Sequence, residues 1–215
     1  EGTTLTFGNF NTFLGYEVIS PTANYNYSTS YMFSYGPFSH TGVKADFTLS
    51  DDASLMLAVM NPTDATDYNP NSTYVLGAQL GVSSQYLNFI LDPSNSFFQI
   101  DFTGGFDLGE TVFLGINATK AKDTFTGAAL YLQNSFSDTF SMGIRGEYFD
   151  DEAGVALTAG ESVIDFTLSA NVSIGSLTLI PEIRLDSFSV DEISDSDGSV
   201  KSSLSSFVFA AVYSF

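Results

Sequence analysis

The sequence predicts an all-β protein, a transmembrane antiparallel up-and-down β-barrel of about 12 strands. Three observations predict this fold. Apolar and polar residues alternate along about twelve segments, and most of these segments have roughly the 9–11 residues that a tilted membrane strand needs. From the second segment onward, one face is free of charge, whereas the opposite faces carry acids and bases. Charged residues make up only 14% of the chain, against ~25% in soluble domains.

The first two predicted strands flank a long polar and aromatic loop. We predict the first strand over residues 3–16, with a bulge or a shifted register near residues 9–11, because the alternation is broken there. The second strand, residues 41–49, alternates strictly and places Lys44 and Asp46 on one face and apolar residues on the other. This strand sets the pattern that the rest of the chain repeats.

The remaining predicted strands follow in order along the chain. They begin near residues 54, 74, 86, 98, 112, 124, 140, 163, 177 and 207. The clearest alternation lies in residues 163–174. The strand that begins near residue 177 contains Pro181. Because proline cannot donate a ladder hydrogen bond, we predict a local bulge or a displaced strand start there.

The connections between the predicted strands alternate in length. Short turns lie near residues 51, 84, 136 and 175. Long polar and acidic loops lie near residues 17–40, 62–72, 150–161 and 187–203. Outer-membrane barrels have short periplasmic turns and longer external loops. We therefore predict a single barrel domain over residues 1–215, with the four long loops outside the membrane.

The distribution of charge distinguishes a barrel from a soluble β-sandwich, which also alternates but buries its apolar face. A Lys or Arg that faces lipid at the bilayer midplane costs ~2–4 kcal/mol. We therefore assign the apolar face to lipid and the charged face to the lumen. The predicted lumen-lining residues are Lys44, Asp46, Asp101, Asn117, Arg145, Glu147, Asp165, Glu182, Arg184 and Asp186.

Two interpretations of these inward residues remain open. The set contains more acids than bases, so a water-filled channel would favour cations. Alternatively, the charges pair with one another and fill the lumen. The loop 17–38 could also fold inward and narrow or plug a barrel of this size. Its tyrosines could form a constriction that stacks on a sugar-like solute, or an interfacial aromatic girdle. These tyrosines are Tyr25, Tyr27, Tyr31 and Tyr35.

Composition and motifs exclude several other classes of function. With 6 Lys and Arg against 25 Asp and Glu, the net charge of −19 argues against a nucleic-acid partner. The chain has no Cys, no HExxH motif, no Gly-rich phosphate loop and no His cluster, so we predict no catalytic residues, no metal site and no cofactor. An enzyme would require His40, the single histidine, to lie beside an acid in a cleft.

Two features concern membrane insertion and processing. No apolar run reaches the roughly 18 residues of a transmembrane helix. The chain begins at Glu1 without the charged and apolar regions of a signal peptide, so we expect any such peptide to have been removed.

A longer stretch of the sequence resembles a known family. It consists of GNFNTFLGYE (8–17), NYNYSTSYMFSYGPFSHTGV (24–43) and the alternating strand that follows. This stretch resembles the putative β-barrel porin-2 (OmpL-like) family of bacterial outer-membrane proteins. The resemblance implies passive transport and a location in the bacterial outer membrane.

The function we expect is that of a non-enzymatic, porin-like channel. It would pass small hydrophilic solutes or ions by diffusion, with a mild preference for cations. The alternative is a plugged, structural barrel that acts as a subunit of an outer-membrane assembly. The expected partners are outer-membrane lipid and the solutes or cations themselves, with a second copy of the chain or another membrane protein as a further partner.

Overall fold

The computed structural model describes residues 2–215, and 61% of the chain is in strands and 4% in helices. The long strands are β1 (Thr3–Asn11), β2 (Ser39–Thr48), β3 (Ala53–Met60), β4 (Val75–Val82), β5 (Gln85–Asp92), β6 (Phe97–Asp107), β7 (Val112–Ala121), β8 (Phe125–Ser137), β9 (Phe140–Asp151), β10 (Glu161–Ile174), β11 (Leu177–Phe188) and β14 (Ser203–Tyr213). A small hairpin of β12 (Ile193–Ser194) and β13 (Val200–Lys201) precedes the last strand. One helix, α1 (Tyr31–Tyr35), and one 3-10 turn, Pro21–Ala23, lie between β1 and β2.

The twelve long strands form one antiparallel up-and-down sheet. Each strand pairs with the next along the chain, in the order β1 to β11 and then β14. The all-β, antiparallel, twelve-stranded prediction is therefore confirmed. β1 and β14 are the two edges, and no strand pairing joins them within residues 2–215.

The connections differ at the two ends of the sheet. One end, the short-turn end, carries the turns 49–52, 83–84, 108–111, 138–139 and 175–176. The other, the long-loop end, carries the connections 12–38, 61–74, 93–96, 122–124, 152–160 and 189–202. Among residues 2–215, no helix has the length and apolarity that a membrane span requires.

The first strand is shorter and more regular than the sequence predicts. β1 ends at Asn11, and its register with β2 runs without a shift from Thr3 opposite Phe47 to Asn11 opposite Ser39. The predicted bulge or register shift near residues 9–11 is wrong. Gly8 takes a φ of 117°, which only glycine adopts readily, so the backbone absorbs the broken alternation without an extra residue.

Pro181 produces neither the predicted bulge nor a displaced strand start, since β11 begins at Leu177. The register of β10 and β11 is the same on both sides of the proline, but pairing is interrupted where Ile180 and Pro181 face β10. Pairing of Pro181 with Phe209 of β14 is continuous. The missing N–H therefore removes a ladder bond on one side without changing the residue count. A register shift occurs elsewhere, between Ser135 and Ser137 of β8.

The two faces of the sheet have opposite chemistry. Ile164 is 58% exposed, whereas its neighbour Asp165 is fully buried. The same alternation exposes large apolar side chains along the whole outer face, among them Leu57, Val59, Leu76, Leu80, Leu87, Ile100, Leu130, Leu132, Phe166, Ile183, Leu185, Phe207 and Phe209. Large apolar side chains thus cover the outer face, the reverse of a soluble protein, while the charged residues in phase with Asp165 face inward and share the interior with two apolar clusters.

Residues 12–38, the inner segment, lie against the inner face of the sheet. The segment hydrogen-bonds to His40 of β2 through Thr12, to Asp101 of β6 and to Glu182 of β11. Because one short segment contacts strands from β2 to β11 on the same face, the sheet curves around it. Two apolar clusters support the segment, one around Leu14 and one around Met32.

Candidate functional site

The charged centre of the molecule is Arg145 on β9, which is 0% exposed. Its Nε donates to Asp165 at 3.0 Å and its Nη1 donates to Glu17 of the inner segment at 2.8 Å. The guanidinium also donates to the backbone carbonyls of Ser28 at 2.6 Å and Thr29 at 3.3 Å. Two carboxylates and two carbonyls therefore compensate for the removal of this charge from water.

A second arginine, Arg184 on β11, converges on the same point. Its Nε lies 2.7 Å from Asp165 and 2.9 Å from Asp186. Its Nη1 donates to the Thr29 carbonyl at 2.7 Å, and its guanidinium carbon lies 5.0 Å from the centre of the Tyr31 ring. Asp165 thus bridges the two arginines, which share one backbone carbonyl of the inner segment.

Glu147 on β9 holds the start of α1. Its two carboxylate oxygens accept hydrogen bonds from the backbone N–H groups of Tyr31 at 2.7 Å and Met32 at 2.8 Å. Ser30 caps the same helix end, because its hydroxyl accepts from the Phe33 N–H at 3.0 Å. The N–H groups at a helix start lack partners within the helix, so these side chains satisfy them.

Two more inner-face carboxylates bind backbone N–H groups of the inner segment. Glu182 accepts from Tyr27 at 2.6 Å and Ser28 at 2.9 Å, and Asp101 accepts from Gly15 at 2.9 Å. Hydrogen bonds with one charged partner are stronger than those between neutral groups. The charged wall, which we define as Arg145, Glu147, Asp165, Glu182 and Arg184, together with Asp101 therefore fixes the path of the inner segment.

Glu17 completes this network, and sequence reasoning missed it. Glu17 lies in the inner segment, is buried and accepts from both the N–H (2.7 Å) and the hydroxyl (2.6 Å) of Ser30. Its other oxygen binds Arg145. In the sequence it marks the start of a loop, where no periodicity constrains its direction, so no local signal could have identified it.

Two sizeable cavities lie beside the inner segment. The first, of about 360 Å³, is lined by Tyr16, Tyr25, Asn26, Tyr131 and Gln133, among others. The second, of about 470 Å³, is lined by Phe13, Tyr16, Gln79, Tyr86, Thr103 and Phe113, among others. Residues 16–18 border both. Both cavities lie toward the short-turn end, since Gln133 and Ser84 are close to turns there.

Comparison with known proteins places the chain in a family. The family model described as putative beta-barrel porin-2, OmpL-like, matches residues 1–215, the whole chain. The chain belongs to this porin family. Membership indicates a general porin-like, non-enzymatic role and an outer-membrane location. The predicted resemblance is thereby confirmed and extends beyond the stretch that carried it. No curated protein and no solved structure matches the chain.

In this porin-family member, the ten residues predicted to line a lumen lie on one face of the sheet and form three groups. Asn117 donates to Asp101 at 2.7 Å. Lys44 pairs with Asp46 at 2.9 Å and stays partly exposed. The third group is the charged wall with its neighbour Asp186. The structure brings the members of each group together, and the charged wall binds protein rather than an open space.

The four predicted constriction tyrosines all belong to the inner segment but do not converge. Tyr31 and Tyr35 both lie near Phe149, with ring centroids 5.6 and 6.1 Å away. Burial of its ring raises the pKa of Tyr31 to about 12. Tyr25 lines the first cavity, and the Tyr27 N–H binds Glu182.

His40 has a structural environment in this porin-family chain. It is buried on β2, where its Nε2 lies 3.0 Å from the Thr12 hydroxyl and its ring packs 5.2 Å from Phe13. Within residues 2–215, no acidic side chain hydrogen-bonds to it. The part of the chain that the structure describes also contains no cluster of three or more acidic, His or Cys side chains placed to hold a metal ion.

Proposed function

We propose that the protein is a β-barrel of the bacterial outer membrane that lets small hydrophilic solutes or ions diffuse passively. The observation that carries the proposal is the inverted surface of the curved sheet. Large apolar side chains such as Phe166 and Leu185 cover its outer face, while Asp165 and Asp186 face inward. This arrangement suits a sheet with hydrocarbon outside and polar groups inside.

Closure of the barrel is part of this proposal. In lipid, each unsatisfied backbone N–H or C=O group costs several kcal/mol, so open sheet edges do not occur there. β1 and β14 run antiparallel to each other, because they are the first and last strands of an up-and-down sheet with an even number of strands. We propose that these two edges meet in the membrane and complete the barrel.

The route for solutes runs beside the inner segment rather than through an empty lumen. The two cavities, of about 360 and 470 Å³, are the spaces that the segment leaves at the short-turn end. A path of this kind would pass only small solutes and give a low conductance. The net charge of −19 and the pairing of Lys44, Arg145 and Arg184 with carboxylates support a mild cation preference.

A second candidate function has its own supporting observation. Asp101, Glu147 and Glu182 accept from backbone N–H groups of the inner segment, Arg145 donates to its Glu17, and both Arg145 and Arg184 donate to its carbonyls. A segment held at so many points favours a permanently filled barrel. Such a barrel would serve as a structural subunit of an outer-membrane assembly.

Planar-bilayer recording of the purified, folded protein in a salt gradient tests the proposal. Folding is checked first by heat-modifiable migration in gels, as expected of a stable barrel. We expect small, stable conductance steps with a reversal potential on the cation-selective side. An absence of steps from correctly folded protein would reject the channel and favour the structural barrel. Anion-selective steps would keep the channel and reject the cation preference.

A further inference from the structure

The second cavity, which we call the aromatic cavity, departs from the chemistry of the inner face around it. Along β5, β6 and β7 most buried inward side chains are polar, as Asn88, Asp101 and Asn117 show, with Ile90 an exception. At the short-turn end, however, the inward positions of two of these strands carry Tyr86 and Phe113. These rings lie on the polar phase of the alternation and border an open space rather than a packed core.

Glycines lie next to the rings of Phe113 and Tyr86 and leave room for them. Gly105 lies opposite Gly115 on the inner phase of β6, and a Cβ on Gly105 would lie 2.1 Å from the Phe113 ring. Glycine within a strand weakens it and often marks a close approach. Similarly, the Tyr86 ring lies 3.0 Å from the position of a Cβ on Gly81. Both rings therefore lie close to backbone positions that carry no side chain.

The opposite wall comes from the inner segment. Phe13 and Tyr16 line the cavity from that side, so four aromatic residues border it. Polar groups lie between them: Gln79, whose Nε2 is held by the Phe13 carbonyl at 3.3 Å and by Asn88 at 2.7 Å, and the side chain of Thr103. The volume of about 470 Å³ falls within the ~300–1,000 Å³ of small-molecule sites.

The charge of the aromatic cavity indicates a neutral ligand. Glu17 is the one charged residue among its lining residues within 2–215. Its carboxylate is already engaged, because one oxygen binds Arg145 at 2.8 Å and the other binds Ser30. In a chain of net charge −19, a cavity without free charge is a specific local feature. A cation or an anion would find no unpaired partner there.

We propose that the aromatic cavity is a binding site for a neutral, polyhydroxylated solute of the size of a mono- or disaccharide. The C–H faces of such a solute stack on aromatic rings, and its hydroxyl groups donate to and accept from amide and hydroxyl side chains. Sites of this kind combine aromatic walls with a few placed polar groups. The proposal deepens the proposed channel function and rests on it, because it names the class of solute that the channel takes up.

Saturation-transfer NMR tests the site directly, because it detects weak binding to a large protein–detergent particle. The protein is folded in a zwitterionic detergent that contains no sugar, and the probes are glucose, galactose, maltose and sucrose. We expect transfer to at least one of these sugars. Phe113→Leu and Tyr86→Leu should each weaken its binding about tenfold, since each removes one stacking ring.

Two further variants make the outcome independent of folding defects. Thr103→Val keeps the side-chain shape and removes the hydroxyl, and we expect about fivefold weaker binding. Phe136→Leu is the matched control, because Phe136 also lies near the short-turn end but is 59% exposed and does not line the cavity. This variant should bind the sugar as tightly as wild type does. Every variant is first checked for heat-modifiable folding.

The outcomes separate this site from the channel function. No transfer to any of the four sugars, or equal binding by wild type and the three cavity variants, would overturn the site even if bilayer steps are seen. Binding that the cavity variants weaken, in a protein that gives no steps, would support the site and reject the channel. The NMR measurement itself requires no transport.

Discussion

Two parts of the sheet hold the inner segment by different means. β3–β5 present apolar side chains, with Met56, Met60 and Ile90 packed in one cluster with Leu14. β9–β11 present the charged wall, which binds backbone N–H and carbonyl groups of residues 27–32. None of the residues predicted to line a lumen lies on β3–β5. At β3–β5 the segment therefore rests mainly on apolar side chains, whereas at β9–β11 charged groups bind its backbone in addition to the apolar cluster of Met32 and Phe149.

The difference teaches how a long loop acquires one conformation. Apolar contacts stabilise in proportion to buried area and have little directional preference. Hydrogen bonds to charged groups depend on distance and angle and so specify individual backbone atoms. We infer that β3–β5 contribute mainly to stability, whereas β9–β11 set the position of each residue of the segment. The two sides should therefore respond differently to mutation.

The largest effect is expected at the centre of the charged wall. Arg145→Met removes the partner of two buried carboxylates, Glu17 and Asp165, and should lower the free energy of unfolding by about 3–5 kcal/mol. It should also release residues 27–32, which limited proteolysis of the folded protein would detect. Arg145→Lys is the matched control, because it keeps the positive charge but loses the planar, forked guanidinium. Its free energy of unfolding should lie between those of wild type and Arg145→Met. Wild-type stability and protease resistance of Arg145→Met would contradict the role of the wall.

A smaller and purely global effect is expected on the apolar side. Met60 is 0% exposed, and Met60→Ala should lower the free energy of unfolding by about 3 kcal/mol through the cavity it creates. Chemical denaturation measures this change. Amide exchange of residues 27–32 should keep its wild-type pattern under native conditions. Met142→Ala, on the outer face of β9, is the control and should change stability less. Selective loss of amide protection at residues 27–32 in Met60→Ala would contradict the inference that β3–β5 contribute mainly to global stability.

The sheet was predictable from sequence because strand pairing follows a period of two. Every residue in phase with Asp165 and Thr167 shares their face once the strand forms. Adjacent strands joined by short turns then align these faces. The same parity places Tyr86 and Phe113 inward, so the aromatic cavity had a signal in the sequence: aromatic residues in the polar phase of their strands. Whether the predicted charged residues line a water-filled lumen stays a prediction.

The path of the inner segment was not predictable in the same way. Glu17 and Arg145 are separated by 128 positions, and no local pattern relates them. Residues 12–16 continue the apolar character of β1 but leave the sheet after Asn11, where the chain turns to bury Phe13 and Leu14 against β3–β5. Their apolar side chains are buried by tertiary packing of a loop rather than by membership of a strand. Strand propensity alone cannot distinguish these two outcomes.

The smallest effect is expected from a single carboxylate of the wall. Glu147→Gln keeps the size of the side chain but leaves one neutral acceptor for the N–H groups of Tyr31 and Met32, so it should cost about 1–2 kcal/mol. The loss should be local, seen as faster amide exchange at these two residues. Glu152→Gln is the control, because Glu152 pairs with Lys120 at the surface, where ion pairs contribute about 0–1 kcal/mol. Equal exchange in both variants would mean that α1 is held by packing of Met32 rather than by the charge of Glu147.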